Sequence, residues 1–283
     1  MPELPADLSD QVARALREDL GAGDLTAALV PAGERVRGHI VTREAAVLCG
    51  RPWADETFRQ LDASVHLDWH AADGDTLRAG QRLCELAGPA RAVLSGERTA
   101  LNFLQLLSGT ATAARAWAEA VAGTRCRILD TRKTVPGLRT AQKYAVRCGG
   151  AVNHRMGLFD QVLIKENHIV AAGSITAAIA AARRSAPGVR VEVEVEDLGE
   201  LREALAAAPD IVLLDEFTLE DLRAAVQLRN AQRTEVQLEA SGSMSLERVR
   251  AVAETGVDYV SVGSITKHVR AVDLSMRLDF RGA

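Results

Sequence analysis

The sequence predicts an α/β chain: an incomplete or irregular α/β barrel preceded by a smaller, mostly β domain. Three observations carry that reading. Beyond Thr124, six short apolar runs end in polar or charged residues and alternate with helical segments rich in Ala, Leu, Arg and Glu. Between Arg37 and Leu94 the texture differs, with apolar runs (HIVTREAAVLCG, SVHLDWHA, RLCELAG) separated by turn signals such as DGDTLRAGQ. Residues 191–197, VEVEVED, alternate strictly and so send Glu192, Glu194 and Glu196 to one side of an extended chain.

At the N-terminus, QVARALREDL reads as a helix with Ser9 as its cap and Gly21 at its exit. A second, longer helix follows the β-rich stretch, SGERTALNFLQLLSGTATAARAWAEAVAG, with Ser95 as a plausible cap and Gly109 at its middle. The domain boundary is placed inside this helix, giving a first domain over 1–108 and a second over 109–268. A tail of about 269–283 is a candidate to pack on the first domain.

The six runs expected to be strands are CRILD (126–130), QVLIK (161–165), VRVEVEVE (189–196), DIVLLDE (210–216), EVQLEASG (235–242) and VDYVSVGS (257–264). Strand and helix alternation of this kind means parallel strands with helices outside, connected by right-handed crossovers. Alone, VEVEVED would suit a half-exposed antiparallel strand. Inside a barrel its valines face the helices and its glutamates the lumen, where unpaired carboxylates are costly and need cations, a metal or water.

Composition narrows the partners. With 283 residues and 47% hydrophobic content, the chain can bury a substantial core, and a net charge of −4 favours no broad polyanion or membrane surface. Nucleic acid is therefore not an expected partner, and any anion site must be local. The four cysteines, Cys49, Cys84, Cys126 and Cys148, lie far apart with no metal-type spacing and read as reduced thiols, which fits a cytoplasmic protein. No run approaches the ~20 apolar residues of a membrane helix.

Barrel enzymes place their chemistry at the carboxyl ends of the strands. Here those ends carry Asp130 followed by Thr131, Arg132 and Lys133; then Lys165; Glu194 and Glu196; Asp215 and Glu216; Glu239 followed by Ser241 and Gly242; and Gly263. Ionisable groups at nearly every strand end point to one shared polar pocket. The pairs Arg132-Lys133 and His154-Arg155 look like anion clamps, whereas Arg139, Lys143 and Arg147, spaced i, i+4, i+8, read as an exposed helix face. The turns in LEASGSMS and VSVGSIT can cradle a phosphate with backbone amides, although Ser243 or Ser245 could equally be ordinary helix caps. Cations, a phosphate cradle and free carboxylates suit a polyphosphorylated sugar, an acidic co-substrate and Mg²⁺, which rides on phosphates with one or two protein carboxylates.

The runs DTRKTVPGLR, KYAVRCGGAVNHRMGLFDQVLIKENHI, VEVEVED, LLDEF, LEASG and VSVGSIT, preceded by GDLT and ERTALNF, closely resemble the quinolinate phosphoribosyltransferase family over Gly23 to Thr266. The resemblance implies a smaller N-terminal α+β open-sandwich domain, an incomplete α/β barrel, and the joining of quinolinate to 5-phosphoribosyl-1-pyrophosphate. The products would be nicotinate mononucleotide, pyrophosphate and carbon dioxide, in NAD biosynthesis. It also implies a homodimer in which one subunit lends an arginine, Arg98 by position, to its partner's site. From the residues alone, Arg98 reads as an exposed first-turn helix residue. By the same matching, Arg132, His154, Arg155 and Lys165 would hold the quinolinate carboxylates. Lys133, Glu194, Asp215, the Ser241-Gly242-Ser243 turn and Gly263 would surround the phosphoribosyl group, with Thr131 also a substrate-binding candidate. Ser243 departs from the glycine or asparagine expected at its place. Lys133, Glu194 and Asp215 are the catalytic candidates, and Glu194 and Asp215, directly or indirectly, those for Mg²⁺.

Rival readings remain open at this point. A related pyrophosphorylase could use the same phosphate parts on another acidic heterocycle, and a barrel lyase could use Lys165 to form a Schiff base. A swinging-arm carrier, suggested by GDTLRAGQRLCELAG, lacks a lysine to modify, since residues 74–90 contain none.

Overall fold

A computed structural model describes residues 2–233 and 235–280 of the chain. They fall into two compact units: one of Met1–Arg115, Thr134–Gly150 and Ile265–Ala283, the other of Ala116–Lys133 and Ala151–Ser264. By compactness, the basic stretch after Lys133 and the chain from Ile265 onward group with the N-terminal unit, where chain order alone would place 134–150 with the barrel.

The first unit holds helix α1 (Leu8–Leu20), strands β1 (Arg35–Thr42) and β2 (Ala46–Val47), helix α2 (Arg51–Leu61), and strands β3 (His66–Trp69), β4 (Thr76–Leu77) and β5 (Arg82–Pro89). The C-terminal strand Leu274–Asp279 pairs antiparallel with β1, which pairs with β5 and that in turn with β3, giving a four-stranded sheet. The tail thus packs on the N-terminal sheet, and its residues 281–283 lie outside the described ones. Val36, Ile40, Leu48, Phe58, Leu83, Leu86, Leu101 and Leu104 form the core beneath this sheet. A second cluster gathers Val12, Leu16, Trp53, Phe103, Leu107 and Tyr144. Trp53 is fully buried there, and its indole Nε1 donates to Gln11 Oε1 at 2.8 Å, which removes the cost of burying a polar tip.

Two expected helix starts shift. Helix α1 begins at Leu8 with Asp7 at its cap position, so Ser9 lies inside the helix and its hydroxyl donates to Glu56 Oε1 at 2.7 Å. Helix α3 (Ala90–Ala120) leaves β5 directly, because the Ala90 amide is already satisfied by the Glu34 carbonyl at 2.9 Å and needs no side-chain cap. Ser95 is therefore interior to the helix, where its hydroxyl donates to Asp24 Oδ2 at 2.7 Å. The predicted exposed row also changes. On helix α4 (Arg139–Cys148) only Arg147 is exposed, Arg139 is half-buried, and Lys143 is buried among Ala141, Tyr144 and Ala145, because this helix packs nearly all round.

The second unit contains every strand expected from the six runs: β6 (Arg127–Leu129), β7 (Val162–Ile164), β8 (Val191–Val195), β9 (Ile211–Asp215), β10 (Gln237–Ser241) and β11 (Tyr259–Ser261). All pairings are parallel, in the order β6-β11-β10-β9-β8-β7, so β6 and β7 are the two ends of an unclosed sheet. Its helices begin where small polar residues can cap them. Ser174 caps α6 (Ile175–Ser185), Asp197 caps α7 (Leu198–Ala207), Thr218 caps α8 (Leu219–Gln232) and Ser245 caps α9 (Leu246–Ala253), each accepting a backbone N–H. Helix α5 (Glu166–Ala172) follows β7. Arg229 of α8, only 2% exposed, donates to Asp258 Oδ2 at 2.7 Å and to the Val236 carbonyl at 2.9 Å, so its buried charge ties helix to sheet.

Val191, Val193 and Val195 are buried, Glu192 is buried on the opposite face, Glu194 is half-buried and Glu196 lies exposed past the strand end. All four cysteines are free and buried. Among the described residues, no helix is long and apolar enough to cross a membrane.

Gly109 tests the packing. A Cβ at this position would collide with the Arg270 carbonyl oxygen, a backbone atom that cannot swing aside. Helix propensity favours Ala over Gly by about 1 kcal/mol. The expected sign is nevertheless reversed: Gly109→Ala should destabilise by about 1 to 3 kcal/mol, read as a lowered midpoint in urea unfolding.

Candidate active site

The carboxyl ends of the parallel strands surround a cavity of about 370 Å³. Thr131, Arg132 and Lys133 reach it from the end of β6, His154 and Arg155 from the segment before β7, Lys165 from the end of β7, Glu194 from β8 and Ser241 from β10. Leu163, Leu213, Glu239 and Ser261 complete the lining. A cavity of about 390 Å³ in the N-terminal unit has mixed charges, including Arg14, Glu18 and Asp19, and includes no strand end. Chemistry, not size, singles out the barrel cavity.

Beneath it lie acids that are costly to bury unless paired. Asp130, at 0% exposure, accepts from Asn153 Nδ2 at 2.7 Å and from the His154 backbone amide at 2.9 Å. Glu192, also at 0%, has its Oε2 at 2.9 Å from His154 Nε2 and accepts from Gln161 Nε2 at 2.6 Å. Glu239 Oε2 stands 3.5 Å from the same imidazole nitrogen. Burial first, and then the neighbouring Glu192 charge, push the Glu239 carboxyl far above its ordinary range. Burial likewise lowers the Arg155 guanidinium, with the like charge of Arg132 acting in the same direction.

Above this floor the groups are cationic and more open. Lys165 Nζ is ion-paired with Glu194 Oε2. The Lys133 side chain runs along Gly263, where an added Cβ would meet its Cδ at 2.9 Å, and the Lys133 amide donates to Thr131 Oγ1 at 3.1 Å. Asp215 ends β9 directly beside Ser241 of β10. It is half-buried, and among the described residues its carboxylate has no partner.

The turn expected to cradle phosphate is engaged by its own chain. Ser243 donates to Glu216 Oε1 through its amide at 2.8 Å and its hydroxyl at 3.0 Å. A Cβ at Gly242 would lie 2.6 Å from the Glu216 carboxyl carbon, so glycine is what lets that carboxylate approach. Glu216 itself adopts φ +53, an uncommon conformation for a residue with a Cβ.

Of the predicted site residues, Thr131, Arg132, Lys133, His154, Arg155, Lys165, Glu194 and Ser241 line one cavity, and Gly263 supports Lys133. Asp215 stands next to Ser241 on the neighbouring strand. Arg98 is exposed on α3 in the N-terminal unit. Sequence reasoning turned Glu192 toward the lumen and placed Glu239 among the strand-end groups of the pocket without giving either a specific role, and it passed over Gln161 and Ser261. The period-two alternation in LEASG, which turns Glu239 to the same side as Ser241, was the available signal.

For a hard divalent cation, Asp215 and Glu194 offer oxygen donors at neighbouring strand ends, and the partnerless Asp215 carboxylate fits such a role. Two tighter clusters exist among the described residues, each with ligand atoms within 4.8 Å of one another: His154, Glu192 and Glu239, and Cys49, Asp73 and Cys148. In the latter, Asp73 already accepts from the Gly50 and Arg51 amides and from Tyr144 Oη.

Residues 24–108 match the N-terminal domain model of quinolinate phosphoribosyl transferase, and residues 110–277 match its C-terminal domain model. A nicotinate-nucleotide pyrophosphorylase [carboxylating] of Mycobacterium leprae is 46% identical over 276 residues, 95% of this chain and 96% of that protein. A probable enzyme of the same name from Bacillus subtilis is 43% identical over 92% of this chain and 89% of its own. The solved nicotinate-nucleotide pyrophosphorylase of Francisella tularensis superposes with a TM-score of 0.93 at 45% identity, covering 98% of both chains.

The raised Glu239 carboxyl has a consequence for stability. A group held protonated by the fold stabilises it below the unfolded value of 4.5, and that contribution is lost as pH rises through the folded value. Glu239→Gln should therefore flatten the decline of unfolding free energy as pH rises above about 4.5, measured by urea titration at each pH.

Proposed function

The chain belongs to the quinolinate phosphoribosyltransferase family, and from this premise we propose that the barrel cavity joins quinolinate to 5-phosphoribosyl-1-pyrophosphate, giving nicotinate mononucleotide, pyrophosphate and carbon dioxide. The chain is accordingly an enzyme of NAD biosynthesis, a pentosyltransferase. The observation that carries the reading of the cavity is the convergence of Arg132, Lys133, Arg155 and Lys165 with Glu194 on one pocket of about 370 Å³ in an acidic protein.

Quinolinate is a dianion whose ring nitrogen must approach the anomeric carbon of a second, heavily negative molecule. Arg132, Arg155 and Lys165 screen that repulsion and orient the two carboxylates, because planar guanidinium groups bind carboxylates in a fixed geometry. Lys133 faces the phosphoribosyl pyrophosphate. As the carbon–pyrophosphate bond lengthens, the ribose becomes cation-like, and Glu194 and Asp215 stabilise that charge while holding the hydroxyls. Mg²⁺, held by Asp215 and Glu194 directly or through water, would neutralise charge on the pyrophosphate. Ser241 and the turn through Ser243 take the sugar phosphate. Once alkylated, the ring nitrogen is positive, so the adjacent carboxylate leaves as carbon dioxide and the ring carbon takes up a proton in its place.

The ion pair between Lys165 and Glu194 favours electrostatic over nucleophilic use of that lysine, which argues against the Schiff-base alternative. The working form is a homodimer, with Arg98 of the partner subunit completing each pocket. Supporting this, Arg98 is exposed, and Leu158 and Phe159, close in sequence to Arg155, are 73% and 80% exposed. The enzyme works in the cytoplasm, a setting suited to four free thiols.

Incubated with quinolinate and the activated ribose, the pure protein should release carbon dioxide, and with nicotinic acid in its place it should not; release in both or neither removes the reading. Lys133→Ala should lower kcat more than it raises KM, while Arg155→Ala should chiefly raise KM for quinolinate. Glu194→Gln should cost about 1 to 3 kcal/mol of transition-state stabilisation, and an unaltered kcat/KM would take Glu194 out of the mechanism.

A further inference from the structure

Four hydrogen-bonding contacts at the pocket floor close into a ring. His154 Nε2 meets Glu192 Oε2 at 2.9 Å; Gln161 Nε2 donates to that same oxygen at 2.6 Å; Arg155 Nη1 donates to the Gln161 carbonyl at 3.3 Å; and the Arg155 amide donates to His154 Nδ1 at 2.7 Å. The ring has a definite proton arrangement. Because Nδ1 accepts the Arg155 amide, it carries no proton, and the single imidazole proton sits on Nε2, directed at Glu192. Both ring nitrogens are thus used within the protein, and neither is directed at a ligand as a donor.

Arg155 stands differently. Its Nη1 takes one carbonyl, while Nε and Nη2 have no partner among the described residues, and the residue lines the cavity. That leaves one edge of a guanidinium fork available for a carboxylate. What fixes the aim of this fork is the ring, whose buried end is Glu192 on β8, with no side-chain exposure.

We propose that Glu192 is a positioning residue for the acidic substrate: it holds His154 as a neutral strut and, through His154 and Gln161, sets the direction of the Arg155 guanidinium. The inference rests on the reading of the cavity as a quinolinate site and changes one assignment within it. His154 belongs to the support of the clamp, and the cationic grip on the carboxylates comes from Arg132, Arg155 and Lys165. Gln161 becomes a positioning residue as well, since it connects the Arg155 fork to Glu192 through both its carbonyl and its side chain.

Two variants test this in the full-length protein. Glu192→Leu removes the oxygen shared by two donors, so that neither His154 Nε2 nor the Gln161 side chain keeps its acceptor. Gln161→Ala cuts the ring at a half-buried position and leaves the Glu192–His154 contact in place. Calorimetric titration should show quinolinate binding weakened about tenfold or more in both, because small errors of aim are costly, and 5-phosphoribosyl-1-pyrophosphate binding changed by less than about threefold. Nitrogen-15 NMR of the wild type should show His154 protonated on Nε2 alone. Quinolinate binding as in the wild type, or equal weakening of both substrates, overturns the proposal, as does a doubly protonated His154. A wild type that fails to bind quinolinate sinks the functional reading and this inference together, whereas wild-type binding with unaffected variants sinks the inference alone.

Discussion

The barrel is organised around the cost of placing carboxylates inside it. Asp130, Glu192 and Glu239 all sit at 0% exposure, where unpaired ionised groups are unfavourable by several kcal/mol each. The partners of Asp130 and Glu192 come from the stretch between Asn153 and Gln161, which is neither helix nor strand and is therefore free to turn a backbone amide, an imidazole and two amide side chains downward. Once that segment is committed to the floor, Arg155 has little choice of position. The acids below hold the segment that carries Arg155.

The cations above are themselves in mutual tension. Burial first, and then the like charge of Arg132, lower the Arg155 guanidinium, while Lys165 is ion-paired with Glu194. A dianion entering there makes new contacts and also relieves a repulsion built into the folded chain. On the proposed reading, a doubly charged ligand is favoured there for reasons that do not depend on shape alone.

Much of this was legible in the chain itself. The six strands could be read because each is a short apolar run closed by a polar residue, and the caps Ser174, Asp197, Thr218 and Ser245 stand where a helix must satisfy its first amides. The helix starts at Leu8 and Ala90 were hidden, since backbone contacts replaced the side-chain caps that serve as signals. Lys143 showed the limit of charge spacing: a periodic row identifies one face of a helix but does not reveal that the fold wraps it. Cations at strand ends announced a pocket, yet the Glu192–His154–Gln161 contacts could not be read, because they join residues up to 38 positions apart through a loop without periodicity.

Glu216 gives the turn after β10 a property of its own. Its carboxylate already takes the Ser243 amide, drawn close by the bare Gly242 and by its own left-handed backbone. Any anion that takes that amide does so by exchange, trading one negative group for another, so net affinity is a difference between two similar contacts. If the turn takes an anion, the same resident group stands ready to reclaim the donor when the visitor leaves, which would favour release as much as capture.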